Sequence, residues 1–279
     1  MKITYVMHWI AALFLLTAVM GAVLWKDNHR LSRVDIVFLG DSLVGQYRDE
    51  TSIPILVAEA LQLTAVNGAL GGTTLSCRNV AQTDTYYKDW LTLPALARAV
   101  ASQDFGVQQT VRSRENATGY FSGAIDTLDS VDYDELEYLI ISYGTNDYFS
   151  GVPIENAEDP MDIYTFKGAL RTAVQTLQES RPRLRILLLS PTYNWYLNTW
   201  EDCEELDFGG GLLEDYVEGM RAVAEECGVE FLDLYHDYYS HEHYDQWRLY
   251  TEDGVHPNQA GRERIAETVA TYLREHPEI

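Results

Sequence analysis

The chain has few cysteines. Its 279 residues include three, Cys77, Cys203 and Cys227, and no two of them form a C-x-x-C pair. So few cysteines exclude a disulfide framework, and they give no support to a zinc site. Cys77 and Cys203 follow predicted strands at the same edge and could pair in an oxidising compartment. Cys227 closes a helical pattern and is predicted to be a buried thiol.

Basic residues are also scarce. Lysine and arginine total 20 against 43 aspartate and glutamate residues, which gives a formal net charge of −23. A surface of this charge repels nucleic-acid phosphates and anionic lipid headgroups, so we expect no nucleic-acid partner. A phosphate-binding loop is missing too, because Gly209–Gly211 lacks the lysine and the strand context. Solubility alone explains the acidity, which therefore says little about the substrate.

One long apolar run stands apart from the rest of the chain. The stretch from Trp9 to Trp25 contains no charged residue. As a helix it would span roughly 25 Å, and its flanking tryptophans are typical of a membrane interface. We interpret residues 1–33 as a membrane anchor with a polar linker, with a cleaved signal peptide as the alternative. Residues 34–279 are then predicted to form one domain.

That domain contains a regular alternation of strand and helix patterns. Each apolar run is followed by turn residues and then by a helical pattern, which predicts an α/β fold with a five-stranded parallel sheet and helices on both faces. The predicted strands cover residues 35–39, 63–67, 137–142, 184–190 and 229–234. The predicted helices cover residues 52–61, 161–180, 211–227 and 258–275. The irregular segment 77–131 is an extended crossover, either ordinary packing or part of a substrate cleft.

Two stretches contain polar residues that could take part in catalysis. Gly40, Asp41 and Ser42 directly follow the first apolar run, where open α/β sheets place their sites, although the same residues also favour a simple turn. Near the C-terminus, His256 follows Asp253 by three residues in a loop. A serine hydroxyl becomes a nucleophile when a base removes its proton, and that base needs a third group to orient it.

Two further stretches complete a recognisable set. Asn67 is followed five residues later by Gly72, and Gly144 precedes Asn146 and Asp147 after another apolar run. With Gly40–Ser42 and Asp253–His256, these stretches resemble the SGNH (GDSL) hydrolase family in order and spacing. The resemblance covers residues 34–275 and implies a three-layer α/β/α, flavodoxin-like fold that catalyses acyl transfer to water.

The resemblance also implies a role for each matched residue. Ser42 would be the nucleophile, His256 the general base and Asp253 the group that orients the imidazole. The oxyanion hole would consist of the amides of Ser42 and Gly72 and the side chain of Asn146. The G-x-S-x-x-G pattern around Ser42 departs from the G-x-S-x-G elbow of α/β-hydrolases.

Three residues next to these motif positions have other predicted roles. Gly71 is the alternative oxyanion donor if the turn shifts by one residue. Asp41 and Asp147 are predicted to be helix-cap or turn groups that help to hold Ser42 and Asn146 in place.

Histidines and aromatic residues elsewhere offer two further candidate sites. The spacing of His236, His241 and His243 matches no common ligand motif, so we predict neither a metal nor a cofactor. An aromatic group after the fourth predicted strand either stacks on sugar rings or forms a hydrophobic lid; it comprises Tyr193, Trp195, Tyr196 and Trp200.

These observations together predict a membrane-anchored serine esterase. We expect it to remove small acyl groups, such as acetyl, from cell-surface or extracellular carbohydrate, with the catalytic domain outside the cytoplasm. Lys26, Arg30 and Arg33 favour the opposite orientation by the positive-inside rule. The alternatives are a lipid-directed, lysophospholipase-like esterase and a tethered glycan-binding module without turnover.

Overall fold

The computed structural model describes residue 31 and residues 33–78, 87–113, 120–236, 238–241 and 243–277. The predicted membrane helix, Trp9 to Trp25, lies outside these residues. Within the described ranges, no helix combines the length and the apolar character needed to cross a bilayer.

The centre of the structure is a parallel sheet of five strands, which are β1 (Ile36–Gly40), β2 (Ala65–Asn67), β3 (Tyr138–Ser142), β4 (Arg185–Leu189) and β7 (Glu230–Leu232). Their order across the sheet is β2-β1-β3-β4-β7. The short strands β5 (Trp195–Tyr196) and β6 (Glu201–Asp202) form a separate antiparallel pair. The predicted five-stranded parallel sheet is therefore confirmed, with each strand at its predicted apolar run.

Burial explains why the central strands read as continuous apolar runs. Every residue of β1 and β3 is buried, as expected where helices cover both faces of a parallel sheet. Gly40, the last residue of β1, pairs in register with Ser142, the last residue of β3. The two loops that follow, at Ser42 and Gly144, therefore leave the sheet side by side.

Helices complete the three layers. They are α1 (Ser42–Gly45), α2 (Ile53–Leu61), α3 (Leu93–Ser102), α4 (Gly106–Gln109), α5 (Phe121–Ser130), α6 (Thr145–Phe149), α7 (Phe166–Ser180), α8 (Leu213–Cys227), α9 (Trp247–Tyr250) and α10 (Gln259–Glu275). Helix α2 packs against α10, whereas α7 packs against both α3 and α8. Connections between parallel strands are right-handed as a rule, which places these two groups on opposite faces of the sheet.

One helix start differs from its prediction. Helix α7 begins at Phe166, not at residue 161. Thr165 caps it by accepting the Gly168 amide hydrogen at 3.3 Å, and the Asp162 carboxylate accepts the Tyr164 amide hydrogen at 3.0 Å. These side chains stabilise a turn before the helix, because short polar groups compete with helical hydrogen bonds for nearby amides.

The suggested pairing of Cys77 with Cys203 is absent from the structure, in which the thiols are free. The Cys77 sulfur lies 3.3 Å from the Thr92 hydroxyl, and the Cys203 sulfur accepts the Asn194 amide hydrogen at 3.4 Å. Burial raises the pKa of Cys203 to about 12, so this thiol stays protonated.

Candidate active site

Ser42 is positioned by the turn that ends β1. It is the first residue of α1, and Asp41 caps that helix by accepting the Leu43 amide hydrogen at 2.9 Å. This confirms the cap prediction for Asp41. The serine side chain therefore leaves the carboxyl edge of the sheet in a fixed direction.

The His256 ring lies within hydrogen-bonding distance of both Asp253 and Ser42. The His256 Nε2 atom is 2.9 Å from the Ser42 Oγ atom, and the Nδ1 atom is 2.8 Å from Asp253 Oδ2. The other oxygen of Asp253 accepts the amide hydrogens of Val255 and His256 at 3.0 and 2.8 Å. The carboxylate thus fixes both the loop backbone and the ring.

The environment of Asp253 favours its charged form. Partial burial raises its pKa, but hydrogen bonds from the amide and ring of His256 and from the Val255 amide outweigh burial and hold the pKa below its ordinary value. Asp253 is therefore ionised near neutral pH, which suits a group that orients an imidazole.

The loop that carries Asp253 and His256 is held from two sides. Gly254 has a φ of +90°, and a Cβ there would lie 2.1 Å from the Trp195 carbonyl oxygen, so the position requires glycine. On the other side, the buried Arg262 of α10 donates to the carbonyl oxygens of Thr51 at 2.9 Å and Pro257 at 3.1 Å. Arg262 thereby connects the loop to the segment that follows Ser42, a role that no motif indicated.

The loop after β2 lies next to the nucleophile. The Leu70 amide donates to the Gly40 carbonyl oxygen at 2.8 Å, and Gly72 is exposed with a φ of +73°. The Asn146 side-chain nitrogen donates to the Thr73 carbonyl oxygen at 3.0 Å. That bond uses one of the two N–H groups of the amide and leaves the second for another acceptor.

Gly71, the alternative oxyanion donor, has its amide engaged. It donates to the Tyr120 hydroxyl at 2.7 Å. The neighbouring Gly72 is therefore the better candidate of the two. Sequence reasoning missed Tyr120, which lies 49 residues from Gly71 and has no motif around it.

Asp147 differs from its prediction as a helix-cap or turn group. It lies inside α6, fully buried, and accepts the amide hydrogens of Leu75 at 2.7 Å and Ser76 at 3.0 Å as well as the Ser76 hydroxyl hydrogen. Burial raises the pKa of Asp147 to about 6, although these hydrogen bonds oppose the rise. Asp147 therefore ties α6, which carries Asn146, to the loop after Gly72.

A family model confirms the relationship indicated by the motifs. The model of the GDSL-like Lipase/Acylhydrolase family matches residues 38–264. The chain belongs to this family. It matches no curated protein sequence.

Solved structures share the fold of this GDSL-like protein. A protein from Lactobacillus plantarum has 20% sequence identity and a TM-score of 0.58 over 88% of this chain and 99% of its own. The salicylyl-acyltransferase SsfX3, from a tetracycline biosynthetic pathway, has 18% identity and a TM-score of 0.54 over 89% of this chain and 56% of its own. Est24, a carbohydrate acetylesterase from Sinorhizobium meliloti, has 17% identity and a TM-score of 0.50 over 87% of this chain and 99% of its own.

The aromatic group of this GDSL-like protein divides between core and surface. Tyr193 and Trp195 are 0% and 1% exposed, and Tyr196 is half-buried, with its hydroxyl donating to that of Tyr148 at 3.0 Å. Trp200, in contrast, is 70% exposed, and its ring centre lies 5.5 Å from that of Tyr244. Tyr193 and Trp195 are therefore packing residues, and Trp200 is the member that can contact a ligand.

The histidines considered as a metal site bind acidic neighbours instead. His236 lies between Asp233 at 2.9 Å and Glu214 at 3.1 Å, and His241 contacts Glu204 at 2.9 Å. Burial lowers the pKa of His236, but the two carboxylates outweigh it and raise the pKa overall. Across the described residues, no three His, Cys, Asp or Glu side chains are grouped as metal ligands.

Proposed function

We propose that this GDSL-like protein is a serine esterase that removes short acyl groups, acetyl above all, from carbohydrate. The supporting observation is the line of hydrogen bonds from Asp253 through His256 to Ser42, at 2.8 and 2.9 Å. In such a line the carboxylate sets the tautomer of the imidazole, which leaves Nε2 free to accept the serine proton.

The reaction would proceed in two steps, acylation of Ser42 and hydrolysis of the acyl-serine. The Ser42 oxygen attacks the ester carbonyl carbon while His256 Nε2 takes the serine proton, and the imidazolium then gives that proton to the departing alcohol. Water attacks the resulting acyl-serine, loses a proton to His256 and releases the carboxylic acid, and the proton returns to Ser42. Asp253 stabilises the imidazolium in both steps.

The negative charge that forms on the carbonyl oxygen needs preorganised donors. We assign these to the amides of Ser42 and Gly72 and to the second side-chain N–H of Asn146. The bond from Asn146 to the Thr73 carbonyl oxygen, at 3.0 Å, supports this assignment because it holds the amide plane still. Loss of one such donor typically lowers kcat by about 10²- to 10³-fold.

Two observations support carbohydrate as the substrate class. Trp200 presents a 70% exposed indole on the hairpin formed by β5 and β6. This hairpin lies next to the loop of Asp253 and His256, because the backbone amide of Trp195 donates to the Gly254 carbonyl oxygen at 2.9 Å. Exposed aromatic faces suit the apolar faces of sugar rings. Est24, which has the same fold, carries the name of a carbohydrate acetylesterase.

Steady-state kinetics with p-nitrophenyl acetate and p-nitrophenyl palmitate tests the proposal. We expect acetate to be strongly preferred, and Ser42→Ala to lower kcat by at least about 10⁴-fold. Ser180→Ala, a serine at the C-terminal end of α7, is the matched control and should retain full activity. Preference for palmitate would indicate the lipid-directed esterase, and no turnover of either ester would indicate the glycan-binding module. Equal rates in wild type and Ser42→Ala would overturn the assignment of the nucleophile.

We further propose that residues 1–33 anchor the protein in a membrane, with the catalytic domain outside the cytoplasm. Support comes from the uncharged run between Trp9 and Trp25. Protease treatment of intact cells, followed by detection of the domain in the membrane fraction, tests both points. A full-length domain that resists protease until the cells are opened would contradict the orientation.

A further inference from the structure

The crossover between β2 and β3 forms a wall beside the candidate nucleophile. It contains a hydrophobic cluster, separate from the main core, that includes Leu70, Leu91 and Phe121. Tyr120 packs on the partly exposed side of this cluster, with its ring edge-on to Phe121 at 5.0 Å between centres. One side of the Tyr120 ring is therefore packed against this cluster.

The loop that carries the proposed oxyanion hole fixes the direction of that ring. Tyr120 accepts the Gly71 amide hydrogen at 2.7 Å, and the guanidinium of Arg48 lies 4.4 Å from the centre of its ring. Arg48 is itself fixed, because it donates to the carbonyl oxygens of Asn67 at 2.8 Å and of Ala69. A tyrosine held by both its hydroxyl and its ring face does not swing aside freely.

The phenol lies close to Ser42. A Cβ built on Gly71 would be 2.6 Å from the Tyr120 hydroxyl oxygen and 3.5 Å from the Ser42 Cβ atom. Gly71 is thus the spacer between the phenol and the nucleophile, and any larger residue would push them apart. These distances place the Tyr120 hydroxyl within about 6 Å of the Ser42 Cβ atom, which is within reach of an acyl group on the Ser42 oxygen.

We propose that Tyr120 is a specificity-determining residue, whose ring contacts the acyl group on Ser42 and closes the space beyond a short chain. This inference rests on the proposed function, because it requires an acyl group at Ser42. A longer chain would have to displace a ring that is bonded to Gly71 and stacked on Arg48. Pocket walls of this kind typically discriminate between chains by about 10- to 200-fold.

Chain-length kinetics of two variants tests the proposal. Tyr120→Ala removes the wall, and the ratio of kcat/KM for p-nitrophenyl hexanoate to that for p-nitrophenyl acetate should rise at least about 10-fold. Tyr120→Phe keeps the ring but loses the bond to Gly71, so the ratio should rise by less. Tyr272→Ala is the matched control, since Tyr272 stacks on His276 near the start of β4 and β7, at the opposite end of the sheet. Its ratio should equal that of the wild type.

A second measurement separates this inference from the proposed hydrolysis. A reactive serine attacks the phosphorus of methyl- or hexylphosphonate p-nitrophenyl esters and expels p-nitrophenolate. The phosphonyl-serine need not be hydrolysed, and the mass of the intact protein reports the labelling. Faster relative labelling by the hexyl reagent in Tyr120→Ala supports the wall even if no ester is turned over. An unchanged hexyl-to-methyl ratio in a folded variant overturns it. Failure of wild-type Ser42 to react with either reagent overturns both proposals.

Discussion

Ser42 and Asn146 each have a buried carboxyl group as their chain neighbour. Asp41 Oδ1 accepts the Leu43 amide hydrogen, whereas Oδ2 has no hydrogen-bond partner in the described part of the chain. Burial, together with the negative charge of Asp147, raises the pKa of Asp41 to about 7, although the hydrogen bond from the Leu43 amide opposes the rise. A proton on Asp41 near neutral pH relieves the cost of burying a charge.

This residue should make folding stability depend on pH. Since the pKa of Asp41 rises from 3.8 to about 7 on folding, the folded state binds the extra proton in that range, and stability falls as pH increases through it. Across this range the free energy of unfolding of the wild type should fall by about 1–4 kcal/mol. Asp41→Asn cannot ionise, so it should not show this fall. Urea unfolding of both proteins from pH 4 to pH 8 measures the difference. Parallel stability curves would contradict the raised pKa.

Among the secondary-structure elements, α10 has a direct connection to the site. It begins at Gln259, three residues after His256, and Asn258 caps it by accepting the Gly261 amide hydrogen at 3.0 Å. The same side chain donates to the carbonyl oxygens of Leu249 at 3.2 Å and Thr251 at 3.3 Å. One asparagine thus orders both the helix start and the backbone just before Asp253.

Truncation of this cap should reduce both stability and activity. We expect Asn258→Ala to lower the free energy of unfolding by about 1–2 kcal/mol and to reduce kcat for p-nitrophenyl acetate, since the His256 ring depends on the same loop. Asn258→Asp keeps the cap acceptor but loses the two bonds to the Leu249 and Thr251 carbonyl oxygens, so its stability should lie between those of the wild type and Asn258→Ala. Urea unfolding and steady-state kinetics provide the measurements. Wild-type values for Asn258→Ala would show that the loop is held without the cap.

For the whole molecule, the dominant property is the net charge of −23. Many lysine and arginine side chains in the described part of the chain pair with carboxylates. Arg171 lies 2.7 Å from Glu226, and Arg185 lies 2.9 Å from Glu230. The excess of acidic groups remains on the surface, where like charges repel one another and disfavour the compact state.

Added salt should therefore stabilise the protein. Raising sodium chloride from about 0.02 to 0.5 M shortens the Debye length from roughly 20 Å to roughly 4 Å and screens the repulsion. We expect the Tm at pH 8 to rise by a few degrees, as measured by differential scanning calorimetry. The same experiment at pH 4.5, near the pI of about 4.5, is the control and should show a smaller rise. A Tm that falls with salt at pH 8 would mean that attractive ion pairs dominate instead.

The sequence by itself determined the five strands, the approximate positions of the four helices α2, α7, α8 and α10, and the candidate residues Ser42, Asp253 and His256. It could do so because apolar runs report burial directly, and because Asp253 and His256 contact each other across three residues of one loop. Tertiary structure alone decided that Gly71 gives its amide to Tyr120, that Asp147 holds Ser76, and that Tyr193 and Trp195 are core residues. The Gly71–Tyr120 and Ser76–Asp147 hydrogen bonds join residues 49 and 71 positions apart. The packing of the crossover selects such partners, and the order of residues along the chain does not show which distant residues will meet.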